Sequence, residues 1–320
     1  LKMTADAIAA GKDVYLEKPV SRTLEDGVAL LKVVEGTKQV VQTGTAGYRK
    51  LITTSGTAAG WVSEVAPRPE TATPAFAEIA RGNVERFLGG PQPPYLAGFE
   101  AAGEVVAVGE AVTGPRSGTR VVGVGYGAFA EYMVLPAAAA VPVPAGWTAE
   151  QALGLVVNWP TALAALKPLG HIAAGETVLV HAAAGATGQA AVTMAKHYGA
   201  TVIATASPSK HETVLAIGAD HVLDSLDGDL AAEVLRLTGG GGADLVLESA
   251  GGATFNASLA AAKPVTGRVI VYGLAGGEAA ITNWKLVYKH QIHVIGLNIG
   301  ILIQAAPQIF GEVMREGFGL

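Results

Sequence analysis

The chain has 320 residues, half of them hydrophobic, with 22 basic and 27 acidic side chains, a net charge of −5 and no cysteine. This length predicts two domains, because a single hydrophobic core stops growing at about 250 to 300 residues. Scattered charges of both signs exclude a nucleic-acid surface, and the lack of about 18 consecutive apolar residues excludes a membrane span.

Residues 1–47 form the first predicted unit, a helix–strand–helix–strand segment with no glycine-rich phosphate loop of its own. Its second helix is predicted to begin at Thr23, a helix-capping residue type, with Glu25 near its start. No basic stretch followed by a long apolar segment opens the chain, so we expect no signal peptide and a cytoplasmic protein. Both ends look cut, since the chain starts at Leu1 and stops just after a helical pattern, and we expect a fragment.

Residues 48–155 form the second predicted unit, where Gly or Pro interrupts short apolar runs about every eight to twelve residues. This spacing, with little helical periodicity, predicts an antiparallel barrel or sandwich. The stretch from Pro91 to Gly98 is predicted to be a loop. The predicted strands lie in "RKLITTS", "EVVAVG", "TRVVGVG", "FAEYMVL" and "AVPVPAG".

Residues 156–300 form the third predicted unit, in which apolar runs alternate with helical patterns. The runs are rich in Val and Ile and apolar on both faces, as in strands sandwiched by helices. Their order predicts right-handed βαβ units and a doubly wound α/β parallel sheet of the Rossmann type, followed by a return segment, 301–320. The runs are "TVLVHA", "ATVIATA", "ADHVLD", "ADLVLES", "GRVIVYG" and "IHVIGLN", and the helices include "GQAAVTMAKHYG" and "KHETVLAIG".

The turn after the first of these strands contains only small residues. Its sequence follows a GxGxxG frame in which alanine replaces the first glycine. There the backbone must approach a pyrophosphate closely, and a helix beginning near Thr187 would direct its free N–H groups at the phosphates. The alternative is that small residues serve helix–strand packing alone. The frame runs through Ala183, Ala184, Gly185, Ala186, Thr187 and Gly188.

The end of the second strand predicts the choice of cofactor. An acidic residue there would bind the ribose 2′-hydroxyl of NAD. This chain instead offers Thr205, Ser207 and Lys210, whose hydroxyls and positive charge would attract a 2′-phosphate. We therefore predict NADPH. The alternative is that Ser207 caps the next helix and Lys210 is merely solvated.

Later strand ends are predicted to complete the site, because ligands of open α/β sheets lie over the carboxyl ends of the strands. The glycines among them fit turn chemistry equally well. The predicted residues are Ser249, Tyr272, Gly273, Leu297, Asn298 and Ile299.

The histidines do not predict a metal site. A catalytic zinc site uses three Cys, His or carboxylate ligands and one open position, and the chain has no cysteine. His290 and His293 are predicted at a strand start, where alternation would place them on opposite faces. His181, beside the small-residue turn, is interpreted as a packed or hydrogen-bonded residue in preference to an acid or base.

From about residue 49 onward the chain resembles the medium-chain dehydrogenase/reductase superfamily, in its zinc-free quinone oxidoreductase and enone reductase branch. The matching stretches are "GFEAAGEVVAVG", "GAFAEYMVLPA", "VLVHAAAGATGQAAVTMAK", "DLVLESAGGATF" and "GRVIVYG". This resemblance implies a GroES-like barrel joined to a Rossmann domain, NADPH, a homodimer, and hydride transfer to a quinone or an α,β-unsaturated carbonyl.

The same resemblance implies roles for individual residues. Thr161 matches a threonine near the nicotinamide, and Asn83 matches an asparagine beside it that could donate to the substrate oxygen. Ala97 departs from the family, which usually has proline ahead of "GFE". Cofactor contacts are implied for Thr187, Ser207, Lys210, Ser249, Tyr272 and residues 297–299.

Residues 1–45 resemble a different family, the glucose-fructose oxidoreductase and inositol dehydrogenase group, through "AGKDVYLEKP" and "VVQTGT". There Lys18 would match a substrate-side lysine and Pro19 a cis-proline. We assign Lys18 no function, because the rest of that fold is missing.

The sequence therefore predicts an NADPH-dependent, zinc-independent oxidoreductase acting on a small quinone or enone. Two alternatives stay open: a protein that binds NADPH without turnover, and a fused or truncated fragment that has no function.

Overall fold

The computed structural model describes residues 14–17, 41–44, 100–125, 128, 132–225, 228–317 and 319. The first described elements are two short strands, β1 (Val14–Glu17) and β2 (Val41–Gly44), which pair in parallel. Both strands of the predicted first unit are thus present. Its two predicted helices, with Thr23, Lys18 and Pro19, lie outside the described residues.

A small antiparallel sheet follows, made of β3 (Glu100–Glu104), β4 (Arg120–Val124) and β5 (Val141–Pro142). Ala102 and Val122 face each other across β3 and β4 and belong to one small buried cluster. The strand predicted in "TRVVGVG" is confirmed. "RKLITTS" and the loop from Pro91 to Gly98 lie outside the described residues.

Two strand predictions for this unit were wrong. "EVVAVG" contributes only Glu104 to β3. Val105 still forms backbone hydrogen bonds with Gly118 and Thr119, but beyond it Val106 and Val108 are about half exposed, at 51% and 46%. In "FAEYMVL" the described residues 132–135 form no strand. Alternating valines predicted a half-buried strand, but no neighbouring strand covers them along the described part of the chain.

The third unit is a six-stranded parallel sheet, and all six predicted strands are confirmed. Its strands lie in the order β11-β10-β9-β6-β7-β8. The direction of succession reverses between β6 and β9, which are hydrogen-bonded neighbours. The strands are β6 (Thr177–Val180), β7 (Thr201–Ala206), β8 (His221–Asp224), β9 (Leu245–Glu248), β10 (Arg268–Val271) and β11 (His293–Gly296).

Helices connect these strands. Gly199 and Gly218, with φ of +78° and +110°, end two of them as predicted, since glycine adopts such angles without strain. None of the described helices has the length and apolar character needed to cross a membrane. The helices are α1 (Ala149–Leu153), α2 (Asn158–Leu166), α3 (Ala186–His197), α4 (His211–Ala216), α5 (Leu230–Leu237), α6 (Gly252–Ala261), α7 (Ile299–Ala305) and α8 (Pro307–Gly317).

The last helix, α8, is tied to the body of the third unit. It packs against α2, and the hydroxyl of Tyr198 donates a 2.7 Å hydrogen bond to the Glu316 carboxylate. Lys167 lies 3.4 Å from the same carboxylate and over the Tyr198 ring. One prediction nearby was wrong: His290 does not start a strand with His293 but ends a π-helix, Lys285–His290.

Two apolar clusters cover the two faces of the parallel sheet. Leu163, Val178 and Leu247 belong to the first, and Leu179, Val246 and Leu259 to the second. Because strand neighbours Val178 and Leu179 fall in different clusters, helices bury both faces, as the apolar runs predicted.

Arg268 stabilises the amino-terminal edge of the sheet. Its guanidinium forms a 2.8 Å ion pair with Glu176 and donates to the Gly170 and Asp244 carbonyls. Asp244 in turn accepts from the Thr177 amide. These bonds join the starts of β6, β9 and β10 to the loop after α2.

Candidate functional site

The turn between β6 and α3 is an open cradle at the point where the strand order reverses. Gly185 precedes α3 in extended conformation, and no side chain caps the helix among the described residues. Gly185 and Ala186 are exposed, so the first amides of α3 face accessible space. A helix start of this kind binds anions, because its N–H groups lack partners and the helix dipole is positive there.

Gly188 permits the close approach of α3 to β6. A Cβ atom at this position would lie 2.7 Å from the Cα of Ala183, a distance that side chains do not tolerate. The predicted close helix–strand packing is therefore present. A Cβ at Gly185 would lie 3.2 Å from the carbonyl oxygen of Ala182 and would otherwise face open space. Close helix–strand packing explains why position 188 is glycine. It does not explain why the turn at Gly185 is exposed and has no side-chain cap.

Side-chain hydrogen bonds hold the cradle in shape. Gln189 Nε2 donates to the carbonyl of Ala184 over 2.9 Å. Thr187 donates its hydroxyl proton to Asn158 Oδ1 over 2.8 Å, which joins α3 to the start of α2. The Thr187 hydroxyl is thus engaged by the protein, and a ligand would meet its backbone amide.

Thr161 lies on α2 and is only 8% exposed. Its hydroxyl donates to the carbonyl of Val157 over 2.6 Å. This geometry leaves the Thr161 oxygen free as an acceptor only, so any role beside a nicotinamide would be to accept a hydrogen bond or provide contact. Asn83 lies outside the described residues.

The end of β7 differs in one respect from the prediction. Thr205 does not offer its hydroxyl to a ligand, because it is buried and lies 3.2 Å from His181 Nδ1. Ser207 is half-buried and precedes a short 3₁₀ turn, Pro208–Lys210, whose last residue, Lys210, is exposed. Asp224, which ends β8, pairs in register with Ala206. The sequence of β7 alone does not reveal this carboxylate, because it lies on the adjacent strand.

The ends of β9 and β10 meet closely. A Cβ at Gly273 would lie 3.0 Å from the Cα of Ser249. The Tyr272 hydroxyl is hydrogen-bonded to Ser249, and burial raises the pKa of Tyr272. Gly251 and Gly252, with φ of +74° and +53°, continue this contact by packing on the loop at 276–277.

The end of β11 lies at the same edge of the sheet. The Leu297 side chain is buried, and its amide donates to Val271 at the end of β10. Asn298 is exposed and caps α7, since its Oδ1 accepts from the Ile301 amide over 3.1 Å. Ile299 is half-buried and packs on the first apolar cluster. The structure therefore brings the predicted strand-end residues to one edge of one sheet.

A buried polar chain beneath this edge was missed by the sequence analysis. His181 hydrogen-bonds to Ser258, which donates to the Glu248 carboxylate over 2.5 Å. Burial lowers the pKa of His181, and the negative charge of Glu248 only partly opposes this effect. The interpretation of His181 as a hydrogen-bonded strand residue is confirmed. One signal was available: Glu248 is a charged residue inside the apolar run "ADLVLES".

No group of three or more His, Cys, Asp or Glu side chains is arranged to hold a metal ion among the described residues. His293 is exposed and His290 half-buried, and they lie on different elements.

Comparison with known proteins agrees with this geometry. The zinc-binding dehydrogenase family model matches residues 186–315, and the alcohol dehydrogenase GroES-like domain model matches residues 73–145. A quinone oxidoreductase of Pseudomonas syringae is 33% identical, with a TM-score of 0.65 over 72% of this chain and 71% of that chain. A mycobacterial protein solved with NADPH is 30% identical, with a TM-score of 0.68 over 78% and 76%. The CurK enoyl reductase is 31% identical, with a TM-score of 0.66 over 75% and 73%.

The parallel sheet with an open turn at its switch point defines a Rossmann-type fold, the class of sheet that binds ligands at this point. The structural neighbours then specify the group. The chain belongs to the medium-chain dehydrogenase/reductase superfamily, in its quinone oxidoreductase-like branch.

Some similar proteins are much larger than this chain. The spectinabilin polyketide synthase system protein NorB of Streptomyces orinoci is 38% identical over 264 residues, which is 79% of this chain and 12% of NorB. The chain spans between 3% and 12% of the lengths of NorB and three other synthases.

Proposed function

We propose that this protein is an NADPH-dependent oxidoreductase that reduces a quinone or the double bond of an α,β-unsaturated carbonyl without a metal. The observation that carries the proposal is the uncapped, exposed turn at Gly185 and Ala186, lying where the strand order reverses between β6 and β9. Ligands of doubly wound sheets bind at this point. The cradle fits a diphosphate, since side chains larger than alanine are absent from 182 to 186.

Preference for NADPH over NADH rests on the end of β7. Ser207 and Lys210 offer a hydroxyl and a positive charge to a 2′-phosphate. Asp224, in register with Ala206, is the observation that favours NADH, because a carboxylate there could accept from ribose hydroxyls. The exposed position of Lys210 favours NADPH.

NADPH supplies the hydride when bound. The protein would hold its diphosphate at the Gly185 turn and direct its nicotinamide along the ends of β9 and β10, at Ser249 and Tyr272. Hydrogen-bond donors of the protein would stabilise the oxyanion that forms on the substrate when it receives this hydride. Asn83 and backbone amides are the proposed donors, and solvent supplies the proton. The proposed reaction uses no zinc, and the described part of the chain offers no group of three ligands for it.

The substrate class follows from the relatives. Quinone oxidoreductase relatives favour a planar quinone, and the CurK enoyl reductase favours an α,β-unsaturated acyl substrate. The alternative is that the protein binds NADPH without turnover. A panel of substrates distinguishes this alternative from quinone reduction and from enone reduction. A cysteine-free chain suits the reducing cytoplasm that we propose as its compartment.

We further propose a homodimer formed through the β11 edge. Strand β11 pairs only with β10 among the described residues, so its outer backbone groups have no partner strand. Just before it in the chain, Trp284, Val287 and Tyr288 are 61%, 54% and 77% exposed. Exposed apolar side chains beside an open strand edge indicate a protein contact. Sedimentation equilibrium should give twice the chain mass, and a monomer at micromolar concentration would contradict this assignment.

Calorimetry with NADPH and NADH tests the cofactor proposal. The double variant Ser207→Ala/Lys210→Ala should weaken NADPH binding by about 10- to 100-fold and leave NADH binding unchanged, because only NADPH carries the 2′-phosphate. Arg116→Ala, which removes an exposed charge from the loop between β3 and β4, is the matched control. If wild type prefers NADH and Asp224→Asn abolishes that preference, the NADPH assignment is wrong.

Stopped-flow oxidation of NADPH tests the reaction. We expect 1,4-benzoquinone, an enone or an α,β-unsaturated thioester to oxidise bound NADPH in a single turnover. Tight binding without oxidation by any of the three would support the non-turnover alternative.

A further inference from the structure

The buried polar chain links three strands beneath the candidate cleft. Thr205 on β7, His181 after β6, Glu248 on β9 and Ser258 on α6 are each at most 1% exposed. The distances are 3.2 Å from Thr205 Oγ1 to His181 Nδ1, 2.9 Å from His181 Nε2 to Ser258 Oγ, and 2.5 Å from Ser258 Oγ to Glu248 Oε2. A continuous path therefore runs from the end of β7 to the end of β9.

The direction in which each hydrogen bond is donated follows from the last residue of the network, Glu248. Glu248 Oε1 accepts from the amides of Ala250 and Gly251, over 2.6 and 2.8 Å, so the carboxylate acts as an acceptor. Ser258 has one proton and two acceptors within reach, Glu248 Oε2 at 2.5 Å and the Thr254 carbonyl at 2.9 Å, and the shorter contact to the carboxylate takes the proton. His181 Nε2 must then donate to Ser258, and the neutral ring accepts from Thr205 at Nδ1.

Both ends of this buried polar network, Thr205 and Glu248, lie next to residues of the candidate cofactor site. Thr205 is two residues before Ser207 on the proposed 2′-phosphate side. Glu248 precedes Ser249 and holds the amides of the following turn, whose Gly252 amide donates to the Gly277 carbonyl over 2.9 Å. This hydrogen-bonded network thus fixes the protein backbone at two separate parts of the candidate cofactor site.

Burying four polar groups is a poor way to stabilise a core. Apolar residues of similar volume often serve stability equally well, whereas a fully satisfied polar network imposes one geometry. The geometry points to Thr205, His181, Ser258 and Glu248 as positioning residues that couple the β7 and β9 ends of the cleft, so that both are aligned for one dinucleotide. This inference rests on the proposed function, because it assumes that a dinucleotide spans these two ends.

A double-mutant cycle on the full chain tests the coupling. Thr205→Val disconnects the β7 end and Ser258→Ala disconnects the β9 end, although these two side chains do not touch each other. We expect each variant to raise the Kd for NADPH about tenfold, and the double variant to raise it no further, since one broken link already uncouples the path. Asn256→Ala, at an exposed position on the same helix, is the control and should bind as wild type.

A structural role alone gives a different result. Independent local destabilisation would lower the melting temperature additively and leave the Kd of the folded protein unchanged, and this outcome overturns the inference. Glu248→Gln, which preserves shape, is the second variant if Ser258→Ala does not fold. Nitrogen NMR of the wild type gives an independent readout: we expect the Nε2–H tautomer of His181, and the Nδ1–H tautomer would contradict the proposed proton direction. If wild type binds no NADPH, the proposed function fails first, whereas additive changes in Kd contradict only the coupling.

Discussion

Glu100 should make the stability of the small antiparallel sheet depend on pH. It begins β3, and its Oε1 is buried without a hydrogen-bond partner among the described residues. Burial raises the pKa of Glu100 from its ordinary 4.5 to about 7. The folded protein therefore binds this proton more tightly than the unfolded chain does. The contribution of Glu100 to stability is complete below pH 4.5 and is lost as the pH rises to about 7.

The magnitude follows from the two pKa values. A change from 4.5 to about 7 corresponds to about 3 kcal/mol, and the partial exposure of the side chain reduces this to about 2 kcal/mol. Glu100→Gln keeps the shape and removes the titration. The free energy of unfolding of the wild type, relative to Glu100→Gln, should therefore fall by about 2 kcal/mol between pH 4.5 and 8.

Urea unfolding at pH 4.5, 6, 7 and 8 measures this difference. Glu104→Gln is the control, since Glu104 ends the same strand and is exposed. Its pH profile should run parallel to that of the wild type. Parallel profiles for Glu100→Gln and wild type would refute the reasoning, because they would show that the buried carboxyl has an ordinary pKa.

Three further substitutions test the site and the packing. Gly188→Ala places a Cβ 2.7 Å from the Ala183 Cα, and should destabilise the fold by about 1–3 kcal/mol and weaken NADPH binding more than tenfold by calorimetry. Gly311→Ala, in α8 with nothing within 4 Å of its Cβ, should instead stabilise by about 0.5–1 kcal/mol in thermal melts. Tyr198→Phe loses the bond to Glu316 and should cost about 0.5–1.5 kcal/mol. An unchanged melting temperature would exclude that bond as an anchor of α8.

The parallel sheet could be predicted from the sequence because its strands are buried on both faces. Continuous Val- and Ile-rich runs such as "TVLV" have few other stable arrangements, and glycine marked the ends of the helices between them. The small-residue turn was predictable for the same local reason. Its position at the switch point depends on strand order, which only the pairing of β6 with β9 shows.

The missed features depend on contacts between distant residues. His181 and Ser258 are 77 residues apart, and no local pattern predicts that they meet. Asp224 comes beside Ala206 only through the register of β7 and β8. In "EVVAVG" the alternation is present, but a strand also requires a neighbour to accept its hydrogen bonds, and the sequence does not show where neighbours are absent.

The amino-terminal and the carboxyl-terminal ends of the parallel strands have separate roles. Residues at the carboxyl-terminal ends can therefore change without loss of the fold. Arg268 ties the amino-terminal edge together through charged and carbonyl partners, on the side away from the carboxyl ends of the strands. Tolerance of substitution should therefore be unequal: residues at the opposite ends of the strands, such as the half-buried Ser207 and the exposed Lys210, can be exchanged while the fold is retained. A library that randomises these positions should yield many well-folded clones with altered nucleotide choice.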